Sequence, residues 1–244
     1  NKMTQQEIRL WQVPAPSVDT SSLRAKEQEL AKRLEHIASQ FNSIRFATSL
    51  AAEDMVLTDA LQAKAPKIEI FTLQTGRLHA ETLAMIERTE AHYGLRIERY
   101  EPEQSKVQDF VERFGLNGFY ESEEAKKACC HARKVEPLAR ALKGAQAWLS
   151  GQRREQAATR EELTFEECDA ARGMAKFNPL FDWTQADIWT YLQTHQVPIH
   201  LLHKQGYPSI GCEPCTRPIR ETEDVRAGRW WWLQKESKEC GLHK

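Results

Sequence analysis

The sequence predicts an α/β fold, a doubly wound and mainly parallel sheet, on three observations. Short β-rich runs alternate with helical stretches of roughly 10–16 residues through the first 150 positions. The turns that follow those runs carry small residues, glycine and arginine, the chemistry of ligand-binding loops at a sheet's carboxyl edge. The last third becomes loop-like and rich in Gly, Pro and Cys, as an extension over that edge would be.

The elements follow in order. "SSLRAKEQELAKRLEHIASQF" spaces Leu23, Leu30, Leu34, Ile37 and Phe41 helically, so an amphipathic helix opens the domain. "SIRFATS" (43–49) reads as a strand before the helical "EDMVLTDALQAKA", and "KIEIFTL" (67–73) as a strand before "LHAETLAMIERTEAHYG". "RIERYEP" (96–102) precedes "KVQDFVERFG", and the helical "KVEPLARALKGA" leads into "QAWLSG" (146–151). "FNPLFDWTQADIWTYLQTHQ" offers a turn, an N-cap at Thr184 and one more helix. Residues 1–199 are expected to form the nucleotide-binding α/β domain carrying the double-cysteine helix. Residues 200–244 then supply a CxxC segment and a tail of the same domain.

The chain has 244 residues, 41% hydrophobic and 28% charged, with a formal net charge of −1. That composition is globular and offers no global basic field for nucleic acid. No run of 18 apolar residues exists and "NKMTQQEIRLWQ" lacks a signal core, so neither a membrane nor export is expected. The expectation is a cytoplasmic protein, in which cysteines stay reduced.

Six cysteines occur, with Cys129 and Cys130 side by side and Cys212 and Cys215 in a CxxC. Adjacent Cα atoms lie about 3.8 Å apart, below the roughly 4.4–6.8 Å an ordinary disulfide spans. The pair must look for another partner, and four clustered thiols suggest metal. Adjacent donors strain the angles of a single tetrahedral zinc, whereas a 4Fe–4S cubane offers neighbouring irons. Lys126, Lys127, Arg133 and Lys134 would balance such a cluster's charge. Zinc and four bare thiols are the alternatives. Cys168 has no partner at motif spacing and reads as a packed or surface thiol.

Three turns fall at the expected ligand edge: "TSLAAED" (48–54), "LQTGR" (73–77) and "SGQRREQAATR" (150–160), the last with Arg153, Arg154 and Arg160. Each alone is an ordinary βα turn; together they point to an anionic, nucleotide-like ligand. Glu53 and Asp54 resist that reading, because they suit a helix N-terminus yet repel a phosphate. The tail "SKECGLHK" places Cys240 where a thiol can enter a pocket and leave it, with Lys238 and His243 nearby to favour the thiolate.

From about residue 40 onward the chain resembles the assimilatory adenylyl-sulfate reductases, of the phosphoadenylyl-sulfate reductase family. The motifs are "SLAAEDMVL", "FTLQTGRLHAET", "CCHARKVEPL", "GQRREQAATR", "NPLFDWTQADIW", "GYPSIGCEPCTRP", "RAGRWWW" and "KECGLH". The loop after the first strand has Ala51 and Ala52 where a glycine is common, and "LQTGR" replaces the more usual "LDTGR". The resemblance implies an adenine-nucleotide α-hydrolase-like fold and thioredoxin-dependent reduction of adenylyl sulfate to sulfite and AMP through an S-sulfocysteine. A glutaredoxin-like protein is the alternative reductant.

The resemblance also assigns residues. Cys240 is the nucleophile. Lys134, Arg226, Arg229 and His243 line the sulfate end, and Ser49, Leu73, Thr75, Gly76, Arg77, Gly151 and Arg160 the adenylate end. Cys129, Cys130, Cys212 and Cys215 hold one 4Fe–4S cluster. A homo-oligomer is compatible with all of this. The rival readings are preference for 3′-phosphoadenylyl sulfate, an ATP pyrophosphatase of the same fold, whose SGGxDS loop "SLAAEDM" does not match, and a structural iron–sulfur or zinc module.

Overall fold

A computed structural model describes residues 9–233. Helix α1 (Thr20–Gln40) starts where the Asp19 carboxylate accepts the Ser22 N–H at 2.9 Å, and it buries Leu23, Leu30, Leu34 and Ile37 as one stripe. Next come β1 (Ile44–Ala47), α2 (Ala52–Lys64), β2 (Glu69–Leu73), α3 (Ala80–Tyr93), β3 (Glu98–Tyr100) and α4 (Gln104–Phe114). The strands alternate with helices as the sequence predicts.

A long helical stretch then runs from α5 (Glu123–Cys130) through a π-turn (His131–Val135) into α6 (Glu136–Ala141). The Ser122 hydroxyl caps its start by accepting the Ala125 N–H. Pro137 has no N–H to return to the carbonyl four residues back, so an ordinary α-ladder cannot pass through it. The π-turn falls immediately after the cysteine pair. Strands β4 (Ala147–Leu149), β5 (Glu166–Asp169) and β6 (Met174–Phe177) and helix α7 (Gln185–Thr194) complete the elements. Thr184 caps α7 reciprocally with Asp187, as the sequence suggests.

The sheet has six strands in the order β3-β2-β1-β4-β6-β5, parallel throughout except for β5 against β6. The β5–β6 hairpin is absent from the sequence expectation. One face packs against α1, α2, α3 and α7 around Phe46, Leu34, Ile37 and Leu57; the other carries α6 over Phe71 and Trp148. The chain changes face between β3 and β4, so the strand order reverses between β1 and β4, and this switch point sets the place for a ligand. Among the described residues no helix is long and apolar enough to cross a membrane.

Candidate active site

A cleft of about 220 Å³ opens at the carboxyl ends of β1, β2 and β4, at that switch point. Its floor is made by Thr48 and Ser49 after β1, Leu73 and Thr75 after β2, and Ser150, Gly151 and Gln152 after β4. Lys134 and Arg160 reach it from the sides, and Ser209–Cys212 with Arg226, Arg229 and Trp230 cover it. Residues 206–230 are held there by backbone pairing. Leu78 bridges Cys212, the Glu213 N–H donates to the Arg77 carbonyl at 2.8 Å, and Thr216 bridges Arg229.

The two carboxylates that should repel an anion are both quenched. Glu53 receives two hydrogen bonds from Arg153, from Nε at 3.0 Å and Nη2 at 2.9 Å, in a buried pair. Burial alone would raise the Glu53 pKa, but the guanidinium outweighs it and holds the group below its ordinary range. Asp54 takes the other route. Burial pushes its carboxyl up to about 7, although its Oδ2 accepts the Ser49 N–H at 2.6 Å. Arg153 therefore serves Glu53 rather than a ligand. Arg154 is likewise committed, donating to the Leu163 carbonyl at 2.6 Å.

Gly151 is set by the same turn of α2. A Cβ there would lie 2.0 Å from Asp54 Oδ1, so only glycine lets the β4 turn and the α2 N-terminus meet. Behind them the backbone N–H of Ala52 donates to His203 Nε2 at 3.1 Å, while the Nδ1–H of this buried imidazole faces the Tyr207 carbonyl at 2.8 Å. Burial draws the His203 pKa down to about 4, which keeps the ring neutral and able to accept.

Beside the cleft lies a second, smaller void of about 20 Å³, walled by Cys129, Cys130, Cys212 and Cys215 together with Arg77, Phe119, Arg133, Lys134 and Trp230. The four thiols are buried in one apolar cluster with Phe110, Phe119 and Trp230, and none is in a disulfide. Burial raises the thiol of Cys129, against Arg133 and Lys134, and that of Cys215 up to about 12. Unligated, these groups are protonated and poor nucleophiles.

The donor chemistry suits a thiolate-bound metal group. Thr75 Oγ1 lies 3.2 Å from Cys212 Sγ, and the buried Trp230 indole N–H has no hydrogen-bond partner among the described residues. Both are ready to support a sulfur-rich occupant. Among the described residues no three His, Cys, Asp or Glu side chains converge as ligands of one ion would. Four thiols around a void match a polynuclear centre better than a single tetrahedral ion.

Cations gather between the two spaces. Lys126 Nζ stands 4.3 Å, Lys134 Nζ 5.7 Å and Arg229 Cζ 4.8 Å from the Trp230 ring. Lys134 borders both the cleft and the thiol void. Arg229 is steadied by Ser209 Oγ at 3.0 Å, and its guanidinium occupies the place a Cβ on Gly211 would take. Lys127 turns outward to Glu123 instead.

The structure thus brings together Ser49, Leu73, Thr75, Lys134, Gly151, Arg160, Arg226 and Arg229 at the cleft, and the four cysteines beside it. It places Arg77 on the thiol side, bonded to the Leu116 carbonyl and Asn117 Oδ1. Gly76, at φ +81°, lies against Arg133, where a Cβ would meet Nη1 at 3.1 Å. Cys240 and His243 lie outside the described residues. Cys168 is exposed on β5. Sequence reasoning missed Gln152 and Trp230 as site residues. The first was masked by the arginines beside it, and the second read simply as a buried tryptophan.

Comparison with known proteins agrees with this geometry. The chain is 58% identical over 224 residues to the adenosine 5'-phosphosulfate reductase of Burkholderia cepacia, covering 92% of this chain and 90% of that protein. It is 54% identical over 229 residues to the enzyme of the same name from Allochromatium vinosum, covering 94% and 90%. Among solved structures, a phosphoadenylyl-sulfate reductase from Candida auris, crystallised as a phosphate complex, superposes with a TM-score of 0.66 at 22% identity. It covers 82% of this chain and 98% of that one, and it shares the fold. The phosphoadenosine phosphosulfate reductase domain matches residues 43–218. By that match and those identities, the chain belongs to the phosphoadenosine phosphosulfate reductase family.

Proposed function

We propose that this chain reduces adenylyl sulfate to sulfite and AMP in sulfate assimilation. The reading rests on one observation above the rest. Lys134, Arg226 and Arg229 converge on a nucleotide-sized cleft at the switch point of the sheet, beside four buried thiols. The relatives at 54–58% identity are named for the same reaction. Cys240 is seven residues beyond Leu233, so an extended chain of about 25 Å is available to bring its sulfur to the cleft.

The Cys240 thiolate attacks the sulfur of adenylyl sulfate. A sulfur–sulfur bond forms, the bond from sulfur to the bridging phosphate oxygen breaks, and AMP leaves with that oxygen. The leaving group is a weak base and needs little acid help. The barrier lies in bringing an anion to an anion, and fixed cations lower it. Lys134, Arg226, Arg229 and His243 fill that role at the sulfate end. Ser49, Leu73, Thr75, Gly151 and Arg160 hold the adenylate, with Gly76 and Arg77 shaping the turn next to the thiols. A thioredoxin-type dithiol then attacks Cys240 Sγ. Sulfite departs with the sulfur–sulfur electron pair, and the second thiol of the reductant resolves the mixed disulfide. Both electrons come from the reductant.

Cys129, Cys130, Cys212 and Cys215 would hold one 4Fe–4S cluster. The four cysteines would thereby tie the C-terminal segment to the double-cysteine helix, and the bound group would supply charge beside Lys134 at the edge of the cleft. We place the reaction in the cytoplasm, where these thiols stay reduced, and residues 200–244 in the same domain as 1–199. Intact-protein mass spectrometry after incubation with adenylyl sulfate and no reductant tests the reading. One sulfonate on the peptide containing Cys240 is expected; an unmodified protein that still makes sulfite when reductant is added would refute it.

A further inference from the structure

The β5–β6 hairpin carries a hydrogen-bonded ring that ends in the cleft. Lys176 on β6 extends its Nζ to Gln152 Oε1 at 2.5 Å and to Glu167 Oε2 on β5 at 3.3 Å. Asn178 Nδ2 donates to the same Glu167 oxygen at 2.9 Å. Ser150 Oγ donates to Asn178 Oδ1 at 2.6 Å, and the backbone N–H of Gln152 donates back to Ser150 Oγ at 3.3 Å. The ring closes on itself, and Lys176, Asn178, Ser150 and Gln152 are all buried.

This ring fixes which end of the Gln152 amide faces the cleft. An ammonium only donates, so the atom it meets on Gln152 is the carbonyl oxygen and the NH₂ points the other way. The Gln152 Nε2 has no hydrogen-bond partner among the described residues and is not sealed away from solvent, while Gln152 lines the cleft. A buried amide held in one orientation by a charge is a preset donor, able to accept only a ligand atom with a lone pair facing it.

We infer that Gln152, oriented by Lys176, is a specificity-determining residue that donates its Nε2–H to an acceptor atom on the nucleoside part of the ligand, with Lys176 as its positioning residue. Resting on the nucleotide reading above, the inference adds a contact which that reading does not contain. It also gives β5, an edge strand outside the ligand turns, a part in recognition through Glu167. The acceptor is a ring nitrogen of the base or a hydroxyl oxygen of the ribose, two sources of one chemistry.

The test is calorimetric titration of the holoprotein with AMP and with AMP analogues that each lack one acceptor: the 1-, 3- and 7-deaza compounds and the 2′- and 3′-deoxy compounds. Gln152→Met should weaken AMP about tenfold, the worth of one buried hydrogen bond. Against one analogue alone, that ratio between wild type and variant should fall to about one. Gln152→Glu keeps an oxygen for Lys176 and so preserves the ring, yet it has no NH₂. It should show the same loss, and show it equally with adenosine, which has no phosphate for the new carboxylate to repel. Lys176→Met should narrow the discrimination between AMP and that one analogue, a change that mere loosening of the fold would not give.

Gln152 variants that bind AMP as wild type does, or that lose the same factor against every analogue, overturn the inference. A wild-type protein that shows the analogue pattern but makes no sulfite refutes the reductase reading and leaves the inference standing. One that makes sulfite with indifferent Gln152 variants does the reverse.

Discussion

The floor of the cleft and its cover handle charge in opposite ways. Around the floor, Arg153 is answered by Glu53, and Lys176, bonded to the floor residue Gln152, is answered by Glu167. Asp54 is answered by burial that favours its neutral form. On the thiol side, Arg229 from the cover and Lys126 and Lys134 from the double-cysteine helix gather about one tryptophan ring next to four thiols. The floor is built to be a neutral, rigid surface on which a base and sugar can lie. In the reaction proposed above, those cations would hold positive potential where the sulfate meets the thiolate. On that proposal, binding and chemistry are separated within one cleft.

Substitutions should separate them too. Cys240→Ser should abolish sulfite formation while AMP binding, measured by calorimetry, stays as in wild type. A loss of both would mean that tail and floor are one unit. Glu53→Gln strands the buried Arg153 charge and should cost about 3–5 kcal/mol in urea denaturation. A variant as stable as wild type would show that the floor does not need its pairing. Lys134→Ala should slow formation of the sulfonated enzyme by about 10²–10³, read by quenched-flow mass spectrometry, without loss of iron. Coincident iron loss would make the residue structural rather than electrostatic.

The last effect is on pH. The Asp54 carboxyl is raised from 3.8 to about 7 in the folded chain. Its contribution is fully present below about pH 4 and is lost as pH rises through 7, because the folded state then holds a proton that the unfolded state releases. Asp54→Asn should flatten stability across that window. His200 and His203 act in the opposite sense. Burial lowers them from 6.5 to about 3 and about 4, so their contribution is present above pH 6.5 and is lost as pH falls toward 4. Denaturation midpoints of the wild type and Asp54→Asn at several pH values check both slopes.

Much of this was legible in the sequence. Strands β1, β2 and β4 announce themselves because central parallel strands are short apolar runs between helices, and Thr184 before Asp187 is a capping pair at fixed spacing. The double cysteine and the CxxC stand out because adjacent thiols cannot pair with each other. The β5–β6 hairpin did not stand out. Glu166, Glu167 and Cys168 form a polar edge strand, and Lys176 reads as a surface residue until the tertiary fold buries it. The awkward Glu53 had its answer one hundred residues away in Arg153, and no local pattern links two such positions. Long-range polar pairing is the part of a site that a single sequence hides, since its energy depends on burial that only the assembled sheet creates.

The π-turn after the cysteine pair makes this helix do double service. Closing the backbone over five residues instead of four brings Lys134 to the void that Cys129 also walls. One helix can then present sulfur donors to one compartment and a cation to the next, with no hinge or loop between them. The coupling of the two compartments is written in the count of residues rather than in their kind. Removing Ala132 alone would leave every one of those groups in the chain and still turn Lys134 away from its place.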